Sequence, residues 1–125
     1  MSGRILIVED QEDLRAILCK LLTASGFEVI EAADGSAGVA KAKSERPDLV
    51  LMDIQLPELD GYEGIRQIKA DAVTASIPVI AVSSFAMKGD EEKARAAGCD
   101  AYVPKPYSPM KLLALVKTFL DTTKT

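Results

Sequence analysis

A short apolar run, Leu49-Val50-Leu51-Met52, ends abruptly in the carboxylate of Asp53, and few folds can accommodate it. Pro47-Asp48 precedes the run and Pro57 closes it, so it is bounded by turn-forming residues, and it shows no alternation of polar and apolar positions. Such a run belongs to a strand covered on both faces, the condition of strands in a parallel sheet with helices above and below. An Asp at the end of that strand lies at the carboxyl edge, where open α/β sheets gather their ligands. Asp53 is the first candidate for a reactive group.

The rest of the chain alternates short apolar runs with longer amphipathic ones. Arg4 to Val8 reads as a first strand ending at the acidic pair Glu9-Asp10. Leu14, Ile17, Leu18, Leu21 and Leu22 then recur at helical spacing from about Glu12 to Ser25, with Gly26 placed to stop the helix. A second strand centres on Val29-Ile30, and Asp34 is a suitable N-cap for a helix running to the break at Pro47. Asp60-Gly61 opens a third helix through Ile65 and Ile68, and Ile77 to Val82 makes a fourth strand ending at Ser83-Ser84. Lys88 to Ala97 is an alanine- and charge-rich helix whose apolar face is thin, so loose packing is expected there. A short strand, Ala101-Tyr102-Val103, leads to Lys105-Pro106, and Ser108-Pro109 supplies the cap and first-turn proline of a last helix carrying Leu112, Leu113, Leu115, Val116, Phe119 and Leu120.

Five strands alternating with five helices imply right-handed βαβ units and a doubly wound, flavodoxin-like parallel sheet in the order 2-1-3-4-5. The length, 125 residues, suits one domain, and residues 1–125 are expected to form that domain with no output domain. A net charge of -4 argues against a nucleic-acid surface. No apolar run approaches the roughly 18 to 20 residues of a membrane helix, and the N-terminus lacks the layout of a secretion signal, so a cytoplasmic protein without membrane insertion is expected. Cys19 and Cys99 have no metal-ligand spacing and read as packing residues. The chain has no histidine, which removes a His general base, a His-ligated zinc and a phosphohistidine of its own.

The strand order brings Glu9, Asp10 and Asp53 to one rim, because strands one and three are neighbours about 4.8 Å apart. Crowded carboxylates repel and call for a cation. An all-oxygen donor set with few protein ligands suits Mg²⁺, or Mn²⁺, holding waters and a phosphate oxygen better than a caged Ca²⁺. Ser83 and Lys105 end strands four and five at the same rim and add a hydroxyl and a compact positive charge. These are the parts that stabilise phosphoryl oxygens in transfer, with Asp53 as the nucleophile that forms an acyl phosphate.

With Ile5-Leu6-Ile7-Val8-Glu9-Asp10, Leu51-Met52-Asp53-Ile54-Gln55-Leu56-Pro57, Asp60-Gly61, Val82-Ser83-Ser84 and Lys105-Pro106 in this order, the chain resembles a response-regulator receiver domain over essentially its whole length. Within that family Met52 to Glu58 and Phe85 to Glu92 are most similar to single-domain regulators of the DivK type. The resemblance implies that Asp53 accepts a phosphoryl group from the phosphohistidine of a histidine kinase or histidine phosphotransferase. It implies that Asp10, Asp53 and the backbone carbonyl of Gln55 ligate Mg²⁺, with Glu9 contributing through a metal-bound water. It makes Ser83 the switch hydroxyl, with serine where threonine is commoner, Ser84 the small residue beside the phosphoryl group, Lys105 the phosphate's partner, Pro106 a cis-proline and Tyr102 the switch aromatic. Downstream protein targets would then be controlled through a population shift in the face of helix 4, strand 5 and helix 5.

Two other classes compete. An aspartate-nucleophile phosphatase shares the Asp, Ser and Lys but wants a second Asp two residues on as acid/base, where this chain has Gln55. A nucleotide-binding module would need glycine and hydroxyls in the first turn, where this chain has Glu9-Asp10-Gln11-Glu12-Asp13.

Overall fold

The computed structural model describes residues 3–56, 59–83, 89–105 and 107–121. Five strands, β1 (Arg4–Val8), β2 (Glu28–Ala32), β3 (Leu49–Asp53), β4 (Val79–Ser83) and β5 (Ala101–Pro104), alternate with five helices. These are α1 (Glu12–Ala24), α2 (Gly35–Glu45), α3 (Gly61–Ala70), α4 (Asp90–Ala97) and α5 (Pro109–Asp121). The sheet is parallel throughout, in the order β2-β1-β3-β4-β5. Chain order reverses between β1 and β3, which makes that junction the switch point of the sheet.

The apolar run that ends in Asp53 is central β3, buried at every position because helices cover both faces. Alternate side chains go to opposite cores. Leu49 and Leu51 join Ile5, Ile7, Ile80 and Val82 under α1 and α5, whereas Val50 and Met52 join Leu6, Val8, Val79 and Ala81 under α2, α3 and α4.

Local signals set the helix ends. The Asp34 carboxylate accepts from the Ala37 N–H at 2.8 Å and the Asp60 carboxylate from the Glu63 N–H at 2.9 Å, so each satisfies an otherwise orphan donor of its helix. Gly26 and Gly98 follow α1 and α4 at φ of 97° and 116°, a conformation that glycine adopts without strain. Boundaries differ from the sequence pattern in small ways. β4 starts at Val79, since Pro78 has no N–H to donate to the ladder, and it runs through Ser83. α1 ends at Ala24 with Ser25 as its cap, and α4 begins at Asp90 behind Gly89, while Lys88 lies outside the described residues. As its composition implies, α4 buries only Ala94 and Ala97.

Candidate functional site

Parallel pairing of β1 with β3 sets Val8 beside Met52, so the next residues, Glu9 and Asp53, emerge side by side at the carboxyl rim. Burial separates the three acids. Glu9 and Asp53 are 3% and 4% exposed, whereas Asp10 faces solvent. One carboxylate oxygen from each of Glu9, Asp10 and Asp53 lies within 4.8 Å of the others. Lys105, just past β5, sends Nζ across the rim to donate to Glu9 Oε1 at 3.0 Å and Asp53 Oδ2 at 3.2 Å. The remaining oxygens take backbone donors: Gln11 N–H to Glu9 Oε2 at 3.0 Å, and Gln55 N–H to Asp53 Oδ1 at 3.1 Å.

The electrostatics follow from this crowding. Burial pushes the Asp53 carboxyl up, the neighbouring Glu9 charge adds to the effect, and Lys105 offsets only part of it, leaving a pKa of about 7. Burial works against the Lys105 ammonium, yet its bonds to Glu9 and Asp53 outweigh this and raise its pKa. Three carboxylates against one ammonium leave the rim anionic. A compact, hard, all-oxygen set with negative charge left over fits a divalent cation of the Mg²⁺ or Mn²⁺ kind, and Glu9, Asp10 and Asp53 are the side chains that could hold it.

Ser83, the last residue of β4, is fully buried, and its Oγ accepts from Gln55 Nε2 at 3.1 Å. Its carbonyl accepts from the Lys105 N–H at 2.6 Å, which extends the β4–β5 pairing and fixes where the Lys105 side chain starts. Tyr102 pairs with Ala81 across the ladder and packs, half-buried, on the core under α2, α3 and α4. Beneath the site, a Cβ on Gly61 would overlap the Asp53 carbonyl oxygen and come within 2.6 Å of the Ile54 Cα. Only glycine lets α3 start this close to the end of β3.

The structure thus gathers Glu9, Asp10, Asp53, Gln55, Ser83 and Lys105 at one rim, with Tyr102 inboard on the neighbouring strand. Ser84 and Pro106 lie outside the described residues. Two contributors went unnoticed in the sequence. Arg15, one turn into α1, donates through Nη1 to the Glu9 carbonyl at 2.8 Å and through Nε to Glu31 at 3.1 Å, tying α1 to the ends of β1 and β2. Tyr107 lies beside Glu9 and Asp53, and its buried hydroxyl has no hydrogen-bond partner among the described residues. Burial, then the charges of Glu9 and Asp53, push that hydroxyl up to about 12. Only its place two residues after Lys105 could have signalled the role.

The chain belongs to the response regulator receiver domain family, whose pattern it matches over residues 5–117. It is 45% identical over 120 residues to the polar-differentiation response regulator DivK of Brucella anthropi, covering 96% of this chain and 98% of that protein, and 44% identical over the same span to its counterpart in Brucella melitensis. Its fold superposes with a TM-score of 0.91 on a CheY-like response regulator receiver domain protein from Methanospirillum hungatei, at 32% identity and covering 99% of this chain and 98% of that one. It also superposes, with a TM-score of 0.89 at 33% identity and coverage of 97% and 99%, on the receiver domain of a Pseudomonas aeruginosa sensor histidine kinase with a magnesium ion coordinated in its active site cleft. The chain is the receiver domain of a response regulator in two-component signalling, a signalling switch. No helix among the described residues is long and apolar enough to cross a membrane.

Proposed function

We propose that Asp53 accepts a phosphoryl group from the phosphohistidine of a partner histidine kinase or phosphotransferase, in the cytoplasmic setting expected from the sequence. The observation that carries this reading is the Lys105 ammonium bonded to both Glu9 and Asp53 inside a three-carboxylate cluster. In the reaction an Asp53 carboxylate oxygen forms a bond to phosphorus while the P–N bond to the donor imidazole breaks, its electron pair staying on the imidazole nitrogen. Gln55 N–H and Lys105 fix the orientation of the Asp53 carboxylate before attack, which removes the need to find that geometry during the reaction. Lys105 then faces the transferred oxygens with a positive charge, and the Ser83 hydroxyl is a donor for one of them.

Glu9, Asp10, Asp53 and the Gln55 carbonyl would hold Mg²⁺, which when bound neutralises negative charge on the phosphoryl oxygens. Among this chain's residues, Gln55 stands where a hydrolase of the aspartyl-phosphate type would carry its acid/base carboxylate. An amide cannot take a proton from attacking water, so self-dephosphorylation is slow and the phosphorylated state persists as a signal. That signal reaches downstream protein targets through the α4, β5 and α5 face, on which Tyr102 takes the space Ser83 leaves as its hydroxyl moves to the phosphoryl group.

Incubation with Mg²⁺ and a small acyl phosphate, followed by intact mass, tests the reading. One added phosphoryl group on the native protein and none on Asp53→Asn is expected. Equal labelling of the two proteins would refute it.

A further inference from the structure

The three rim acids are not held alike. Glu9 and Asp53 are buried, and each carboxylate is tied at both oxygens, one by Lys105 Nζ and the other by a backbone N–H. The Asp10 carboxylate faces solvent, and among the described residues no donor reaches it. Its main chain sets its place. On one side of Asp10 the Glu9 N–H donates to the Ala32 carbonyl at 3.0 Å, and the Glu9 carbonyl accepts from Arg15 Nη1 at 2.8 Å. On the other side the Gln11 N–H donates to Glu9 Oε2 and the Gln11 carbonyl accepts from the Arg15 N–H, each at 3.0 Å. Arg15 thus grips the carbonyls of both neighbours of Asp10, one with its side chain and one with its main chain. Gln11, the N-cap of α1, makes no side-chain cap bond, so the guanidinium is the side-chain group that spans this junction. Glu31, near the end of β2, fixes the guanidinium in turn by accepting from Nε at 3.1 Å.

We propose that the Arg15 guanidinium, anchored on Glu31, is a positioning residue for Asp10 in metal binding. The inference rests on reading Glu9, Asp10 and Asp53 as the holders of a divalent cation. Mg²⁺ demands near-ideal octahedral geometry, so a ligand on an unrestrained loop loses affinity to the cost of ordering it. Fixing the backbone on both sides of Asp10 before the metal arrives removes that cost. The sign of the effect separates this role from one of charge. A guanidinium near a cation site repels Mg²⁺, and its removal would by charge alone tighten binding. Positioning predicts the opposite.

Mg²⁺ titrations of the native protein, Arg15→Met, Arg15→Lys, Asp10→Ala and the Arg15→Met, Asp10→Ala double variant test this. Methionine keeps the length, the helix propensity and the backbone N–H but has no side-chain donor. Lysine keeps the charge but lacks the rigid planar group that spans two acceptors. The dissociation constant for Mg²⁺ is expected to rise about five- to tenfold in Arg15→Met and about threefold or more in Arg15→Lys. In the Asp10→Ala background, where no carboxylate is left to place, Arg15→Met should move it by less than about twofold. Without metal, backbone NMR order parameters of Asp10 and Gln11 should fall in Arg15→Met while those of β3 stay the same.

Tighter Mg²⁺ binding in Arg15→Met overturns the proposal, since the residue would then act by charge. An equal loss with and without Asp10 overturns it, because Arg15 would act through the other acids or the fold. Unchanged order at Asp10 and Gln11, or native Mg²⁺ affinity in Arg15→Lys, overturns it too. Failure of the native protein to bind Mg²⁺ would instead remove the reading of the three acids as a metal site, and this inference with it.

Discussion

On one face of the sheet, α1 and α5 press Leu18, Leu22, Leu112, Leu113, Val116 and Leu120 onto Ile5, Ile7, Leu49, Leu51, Ile80 and Val82. On the other face, α4 offers only Ala94 and Ala97. The two regions also differ in helix length. α1 and α5 are 13 residues each, and Ser108 caps α5 with its side chain, whereas α4 is 8 residues; α1 and α4 alike start without a side-chain cap bond. A helix that short depends on tertiary contacts for its existence, and two methyl groups are a small apolar stake. Motion is therefore cheapest at α4. Elements that move in switching come from the low-stability end of a structure, and here that end adjoins Ser83 and Tyr102 through β4 and β5.

Truncating the firm side should have the largest effect. Leu22→Ala, at a position 1% exposed, is expected to lose about 2–5 kcal/mol in urea unfolding, while Ala94→Gly loses about 1–2 kcal/mol. Comparable losses at the two sites would erase the contrast.

The next effect concerns the rim that joins the two regions. Asp53 holds its proton to about pH 7 in the fold, against about 4 in an unfolded chain. The folded state therefore binds more protons than the unfolded state between these values, and the metal-free protein loses stability as pH rises through that window. Asp53→Asn, which cannot ionise, should be more stable than the native chain by about 1–3 kcal/mol above pH 7 in chelator, with the gap closing toward pH 4 and shrinking when Mg²⁺ is added. Thermal melts across pH check this, and a gap that widened on acidification would have the wrong sign.

The smallest effect sharpens the picture of α4 itself. Arg95 and Glu91 form an i,i+4 pair at 2.9 Å, with both side chains more than half exposed. Arg95→Ala should cost about 0.3–0.5 kcal/mol in the same unfolding assay. A much larger cost would mean that surface charge, and not the alanine contacts, secures this helix.

Much of this was legible in the sequence because the physics is local. The run into Asp53, the caps Asp34 and Asp60 and the stops Gly26 and Gly98 each act within a few residues, and the alternation of elements predicts right-handed βαβ units and a parallel sheet, of which 2-1-3-4-5 is a common doubly wound order. The rim acids were legible for the same reason, since Asp53 ends a strand and the pair Glu9-Asp10 follows one. Contacts between distant residues were not. Arg15 reaches Glu9 and Glu31 because of how α1 turns on the sheet, and Tyr107 shares a pocket with Glu9 and Asp53, residues far from it in the chain. The Gln55–Ser83 bond spans 28 residues and depends on β3 and β4 being neighbours. Residue type alone assigns none of these partners.

In the proposed switch, occupancy of Asp53 is read out through the lightly packed side of the molecule. Peptide-resolved amide exchange, with Mg²⁺ alone and with Mg²⁺ plus beryllofluoride, tests it most directly. Exchange over Asp90–Ala97 and β5 should slow when the mimic binds, exchange in the core turns of α1 should stay the same, and Asp53→Asn should show no response. Unchanged exchange in α4, or a uniform change across α1 and α4 alike, would contradict it.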